Sequence, residues 1–106
     1  MIGEAELLWI WTHGGESFGY RDGDDLWSFD GRHVGRFHGA EAYAPDGRYL
    51  GEFAATNRLL TVRTKRGAAR ECFIPFDDRE PLPPRERYAR YELPADCDDF
   101  PTPDKL

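Results

Sequence analysis

The chain has 106 residues and a net charge of −6, room for one domain. Ile, Leu, Val and Phe number 21, close to a disordered composition, yet aromatic residues reach 14 %, which disordered chains lack. No apolar run approaches the roughly 18–20 residues of a membrane span, Met1–Glu6 carries acid where a signal peptide carries base, and the acidic balance argues against a nucleic-acid partner.

Three stretches align without gaps at an offset of sixteen residues: Trp9–Arg21, Asp25–Phe37 and Glu41–Phe53. Trp11, Trp27 and Tyr43 are equivalent, as are Phe18, Val34 and Leu50, and Gly19, Gly35 and Gly51. Turn glycines fall every eight residues, at Gly15, Gly23, Gly31, Gly39 and Gly47. Asp precedes Gly23, Gly31 and Gly47, and Asp-Gly is a strong hairpin signal because a type I′ turn needs positive φ at both central residues. About five or six residues remain for each strand, too few for a helix between turns. With a two-residue turn at Asp30-Gly31, Trp27 faces Val34, Trp11 faces Phe18 and Tyr43 faces Leu50. These six are the expected core. Ile10, Leu26 and Ala42 lie on the opposite face, across from Gly19, Gly35 and Gly51. Three equivalent strand glycines suggest close approach around a common axis; the alternative is room for a ligand.

A fourth unit is degenerate. Leu59–Thr64 reads as a strand, Lys65–Ala68 as its turn and Arg70–Pro75 as the return strand, giving eight strands in four hairpins. Terminal repeats are often atypical because they close the array. From Pro75 onward lie seven of the eight prolines, and residues 77–106 carry −4 of the charge. Residues 1–76 are therefore expected to form the β-repeat domain and 77–106 a Pro-rich acidic tail. Pro84–Glu92 is compatible with two helical turns carrying Tyr88 and Tyr91 on one face. That tail either packs across one end of the ring or binds a partner.

The residues that bear chemistry form no motif. Cys72 and Cys97 match no zinc or redox spacing and read as reduced thiols in a cytoplasmic protein, with a disulfide as the alternative. His13, His33 and His38 are not equivalent, so the repeat builds no metal ring; no cofactor or metal is expected. A site from His33, His38 and an acid, and a Cys72–His nucleophile pair, are the weaker metal and hydrolase readings. The basic side chains Arg63, Lys65, Arg66 and Arg70 are the candidate ligand-binding residues, grouped with Arg58. They could meet a phosphate or lipid headgroup, protect a sheet edge, or pair with the acidic tail.

The segments Leu26–Gly35 and Tyr43–Gly51, each a strand, an Asp-Gly turn and a second strand with a following Gly, resemble the four-fold β-flower proteins. These are small, mostly bacterial proteins of uncharacterised function. The resemblance covers about residues 7–75. It implies four hairpins set like petals around a pseudo-fourfold axis, similar in shape to the barrel of tubby-like lipid-binding domains without the central helix, and it implies no catalytic residues. The expected protein is thus an all-β ring of eight short antiparallel strands in four tandem hairpins. Its leading function is a non-catalytic binding module for a protein or small ligand, through the ring end or a central groove.

Overall fold

In a computed structural model, which describes residues 7–106, sixteen-residue units wind seven strands into one closed barrel. The acidic start Met1–Glu6 lies outside the described residues. The strands are β1 (Leu8–Thr12), β2 (Ser17–Asp22), β3 (Asp25–Ser28), β4 (His33–His38), β5 (Glu41–Tyr43), β6 (Tyr49–Ala55) and β7 (Arg58–Val62). Neighbours in sequence pair antiparallel. An odd number of strands in such a meander forces one parallel pair at closure, and β1 meets β7 in that sense through Trp11–Arg58 and Thr12–Leu59.

Two kinds of turn alternate around the ring. At one end Gly23-Asp24 and Gly39-Ala40 make two-residue loops, with glycine first at φ +62° and +63°. At the other end the loops are one residue longer. In the second unit Gly31 N–H donates to Ser28 O and Ser28 N–H donates to Arg32 O, each at 3.0 Å. This is a three-residue loop ending in a glycine bulge, and Gly31 sits at φ +92°. The same two bonds join Thr12 to Gly15 and Glu16, and Ala44 to Gly47 and Arg48.

That extra residue corrects the expected faces. Leu26 pairs with Gly35, as expected, but Trp27 pairs with His33; the register slips in all three units, past Phe18, Val34 and Leu50. Phe18, Val34 and Leu50 therefore turn inward and join Ile10, Leu26 and Ala42 in one core with Phe37 and Leu59. Trp11, Trp27 and Tyr43 are buried too, but outside that core. The strand glycines make room for packing: a Cβ on Gly35 would crowd Tyr43 O at 3.0 Å, and one on Gly51 would overlap the Phe100 ring.

The fourth hairpin does not form as expected. After Val62 the 3-10 turn Arg63–Lys65 redirects the chain, and residues 70–75 make no strand. The place beside β7 is taken by β8 (Cys97–Asp99), with Leu60 opposite Asp99 and Val62 opposite Cys97. The expected helix at 84–92 is absent as well. The N–H groups of Arg85, Tyr88 and Tyr91 donate to Ser17 Oγ, Gly15 O and His13 O, so these three backbone donors serve the barrel instead of a helix. Beyond β8, Phe100 enters the barrel and meets Phe18 edge-on at 5.2 Å between ring centres. No helix among the described residues is long and apolar enough to cross a membrane.

Candidate functional site at the turn end of the barrel

Residues 70–96 run as an extended belt around the barrel end that carries Gly15, Gly31 and Gly47, visiting the units in reverse order. Arg70 N–H donates to Gly47 O at 2.8 Å, Arg79 N–H to Gly31 O at 2.7 Å and Tyr88 N–H to Gly15 O at 3.0 Å. Three residues after each, Phe73, Leu82 and Tyr91 donate to Pro45 O, Phe29 O and His13 O. The belt thus repeats every nine residues against a barrel that repeats every sixteen. Its column of Arg70, Arg79 and Tyr88 covers the outward aromatics. Arg70 lies over Tyr43 at 5.2 Å, Arg79 over Trp27 at 3.8 Å, and Tyr88 stacks on Trp11 at 3.9 Å. Each cation–ring contact is worth about 0.5–2 kcal/mol, and the cover explains how three large aromatics are buried outside the core.

Backbone shape decides that glycine stands at these stations. A Cβ on Gly31 would lie 2.1 Å from Arg79 O, and one on Gly47 would lie 2.1 Å from Arg70 O. The sequence carries a signal for the belt in a nine-residue spacing. Arg70-Glu71 recurs as Arg79-Glu80, and Phe73, Leu82 and Tyr91 share the same spacing.

The basic residues predicted as ligand-binding do not form one cluster. Arg63 and Arg66 share Asp98 at 2.9 and 2.6 Å, with over half of each side chain exposed. Lys65 sits between Glu41 and Glu52 at 2.8 and 2.7 Å, and these carboxylates push its ammonium pKa up. Arg70 belongs to the belt. Arg58 is buried, donates to Ala89 O at 2.7 Å and lies 4.1 Å from the Tyr91 ring centre.

The other candidates are dispersed. His33 is buried between Asp25 and the belt, whereas His38 stacks edge-on against Tyr43. Among the described residues, no group of three His, Cys, Asp or Glu side chains could hold a metal ion. Both cysteines are free thiols, and the Cys72 thiol donates to Asp46 O at 3.1 Å.

Apolar surface is concentrated on the belt. Of the six large exposed hydrophobics among the described residues, Ile74, Phe76, Tyr88, Tyr91 and Leu93 lie there, and Leu8 is the sixth. Ile74 is 89 % exposed and Phe76 54 %, flanked by the exposed acids Glu71, Asp77, Asp78 and Glu80, none of which has an ion pair among the described residues. Comparison with known proteins gives no match to a family model, a curated protein or a solved structure.

Proposed function

We propose that this protein is a non-catalytic binding module of the β-flower type that docks a partner protein through the first turn of its belt. The observation that carries this reading is the exposed Ile74–Phe76 pair set among four unpaired carboxylates. Isolated exposed apolar residues are ordinary, but an apolar centre with a charged rim is the usual anatomy of a contact surface. The chemistry it fits is an apolar patch rimmed by Lys or Arg. The ring end serves here rather than a central groove, because Phe18, Phe100 and their neighbours fill the axis.

The test is affinity capture with the intact protein beside two variants, Ile74→Ser with Phe76→Ser, and Asp77→Lys with Asp78→Lys. Proteins retained by the parent and lost from both variants support the reading. Retention of the same set by all three overturns it.

A further inference from the structure

We infer that the cleft where β6, β7 and the C-terminal segment meet binds a soluble amphiphilic anion, an aryl or acyl group carrying one sulfonate or carboxylate. The cleft is a cavity of about 550 Å³, open on one side. Leu50, Phe100 and Pro101 supply apolar wall, and Arg48, Arg66 and Lys105 supply positive charge. A second cavity of about 360 Å³ adjoins it and shares Arg48, Lys105 and Leu106.

The charges single this place out. Across the described residues, basic side chains are otherwise committed: to acids, as with Arg21, Arg36 and Arg79; to carbonyls, as with Arg32 and Arg58; or to rings, as with Arg70. Arg48, Arg90 and Lys105 alone have no side-chain ion pair, hydrogen bond or ring contact among the described residues, and two of these three line the cleft. Arg66 is held by Asp98 at 2.6 Å. The acid in the lining, Asp99, is occupied in part by the Gly14 N–H at 3.1 Å. Asp78 lines the adjoining cavity, and the Asp104 carboxylate beside Lys105 is bonded to the Thr102 hydroxyl. Two cations without an ion pair or hydrogen bond, of which Lys105 acts only through its charge on the exposed Asp104, line a partly apolar cavity on a protein of net charge −6 and suit a ligand with one anionic end.

The cavity also has fixed walls. Arg32 donates to Leu106 O at 2.7 Å and to Pro103 O at 2.6 Å, holding the turn that divides the two cavities. Phe100 is anchored in the core. The apolar wall is thus preformed, and binding has mainly the exposed Arg48 and Lys105 side chains left to order.

The test uses the intact protein and 8-anilinonaphthalene-1-sulfonate, with N-phenyl-1-naphthylamine as its uncharged counterpart. One saturable site for the sulfonate is expected, displaced by octanoate and weakened about tenfold or more by Arg48→Glu with Lys105→Glu. Arg90→Glu, which reverses an uncommitted charge elsewhere, is expected to change nothing. Near-UV circular dichroism establishes that the variants keep the fold. Equal sulfonate binding by parent and double variant, binding of the neutral dye at equal strength, or no binding of either dye overturns the inference. Flotation with phosphatidylserine vesicles that is lost in the double variant, without displacement of dye by octanoate, assigns the site to a lipid headgroup and overturns it as a soluble-ligand site. The inference does not rest on the partner reading: the Ile74–Phe76 and Asp77–Asp78 variants touch the adjoining cavity through Phe76 and Asp78 but leave every residue that lines the main cleft unchanged.

Discussion

The backbone N–H of Phe76 donates to Nδ1 of His33 across 2.9 Å. Nδ1 must therefore be unprotonated, and the proton of the neutral ring sits on Nε2, which donates to Asp25 Oδ1 at 2.9 Å. Burial pushes the imidazole pKa below its ordinary value, against the opposing pull of Asp25. Protonation would place a second hydrogen on Nδ1, facing that of Phe76, and remove a belt contact.

The sign of the pH dependence follows. The unfolded chain takes up its proton near pH 6.5 and the folded chain at lower pH. His33 therefore stabilises the fold fully above about pH 6.5, and that contribution falls as pH drops through the lowered folded value. Urea midpoints are expected to decline over this window. His33→Gln, whose amide accepts a hydrogen bond without titrating, should flatten the decline. After correction for intrinsic exchange, the Phe76 amide should lose protection before those of Arg79 and Tyr88. A decline of the same size in the Gln variant would refute the assignment.

Two turn glycines separate conformational strain from belt contact. Gly23 has φ +62° with open space around it, so Gly23→Ala is expected to cost about 1 kcal/mol from the backbone alone. Gly31→Ala carries the same kind of strain at φ +92° and also drives Cβ into Arg79 O. It should cost more in urea unfolding and lift Arg79 from Trp27, increasing acrylamide quenching of tryptophan fluorescence. Equal quenching in both variants would deny the belt a part in covering Trp27.

These glycines also show what could be read without coordinates. The sixteen-residue period, the turn positions and the Leu26–Gly35 pair follow from local chemistry, because tight turns demand glycine wherever the chain folds back. The sequence pattern sets Trp27 opposite Val34 because an Asp-Gly pair suits a two-residue turn as well as the second half of a longer one. One added residue moves a side chain to the other face. Arg70–Pro75 reads as the return strand of the fourth hairpin, yet strand pairing depends on which edge is free, and Cys97–Asp99 takes the edge of β7. Prolines in the tail argue against more of the sheet, yet Pro84 at a first helical position still admits a short helix that the structure does not form. They permit an extended belt that bonds through isolated N–H groups, and its nine-residue period is visible once sought. The grouping of Arg48 with Lys105 depends on chain return over some sixty residues, which no local pattern reports.

Phe100 tests whether the C-terminal segment is part of the core. It is 2 % exposed and packs edge-on against Phe18. Phe100→Ala should cost about 3–5 kcal/mol in urea unfolding, as for other buried phenylalanines. Phe76→Ala removes the same side chain from a half-exposed position on the belt and should cost less than about 1.5 kcal/mol. Similar losses would mean that burial does not rank the two sites.

Arg58 ties the far end of the belt to the closure strand. It is 2 % exposed, and its Nη1 donates to Ala89 O at 2.7 Å, with weaker contacts to Thr12 O and His13 O at 3.5 and 3.4 Å. The guanidinium also lies 4.1 Å from the Tyr91 ring centre. The one Nη1 reaches carbonyls on β1, its turn and the belt while the flat guanidinium lies against the Tyr91 ring, a combined reach and stacking that a lysine ammonium does not reproduce. Arg58→Lys keeps the charge and is still expected to cost about 2–3 kcal/mol, the scale of hydrogen bonds to a charged group. The loss should be accompanied by faster amide exchange at Tyr88 and Tyr91, with Arg70 and Phe73 unaffected. Uniform acceleration along residues 70–91 would instead mean that the belt releases as one unit, and that Arg58 supports the barrel rather than this end of the belt.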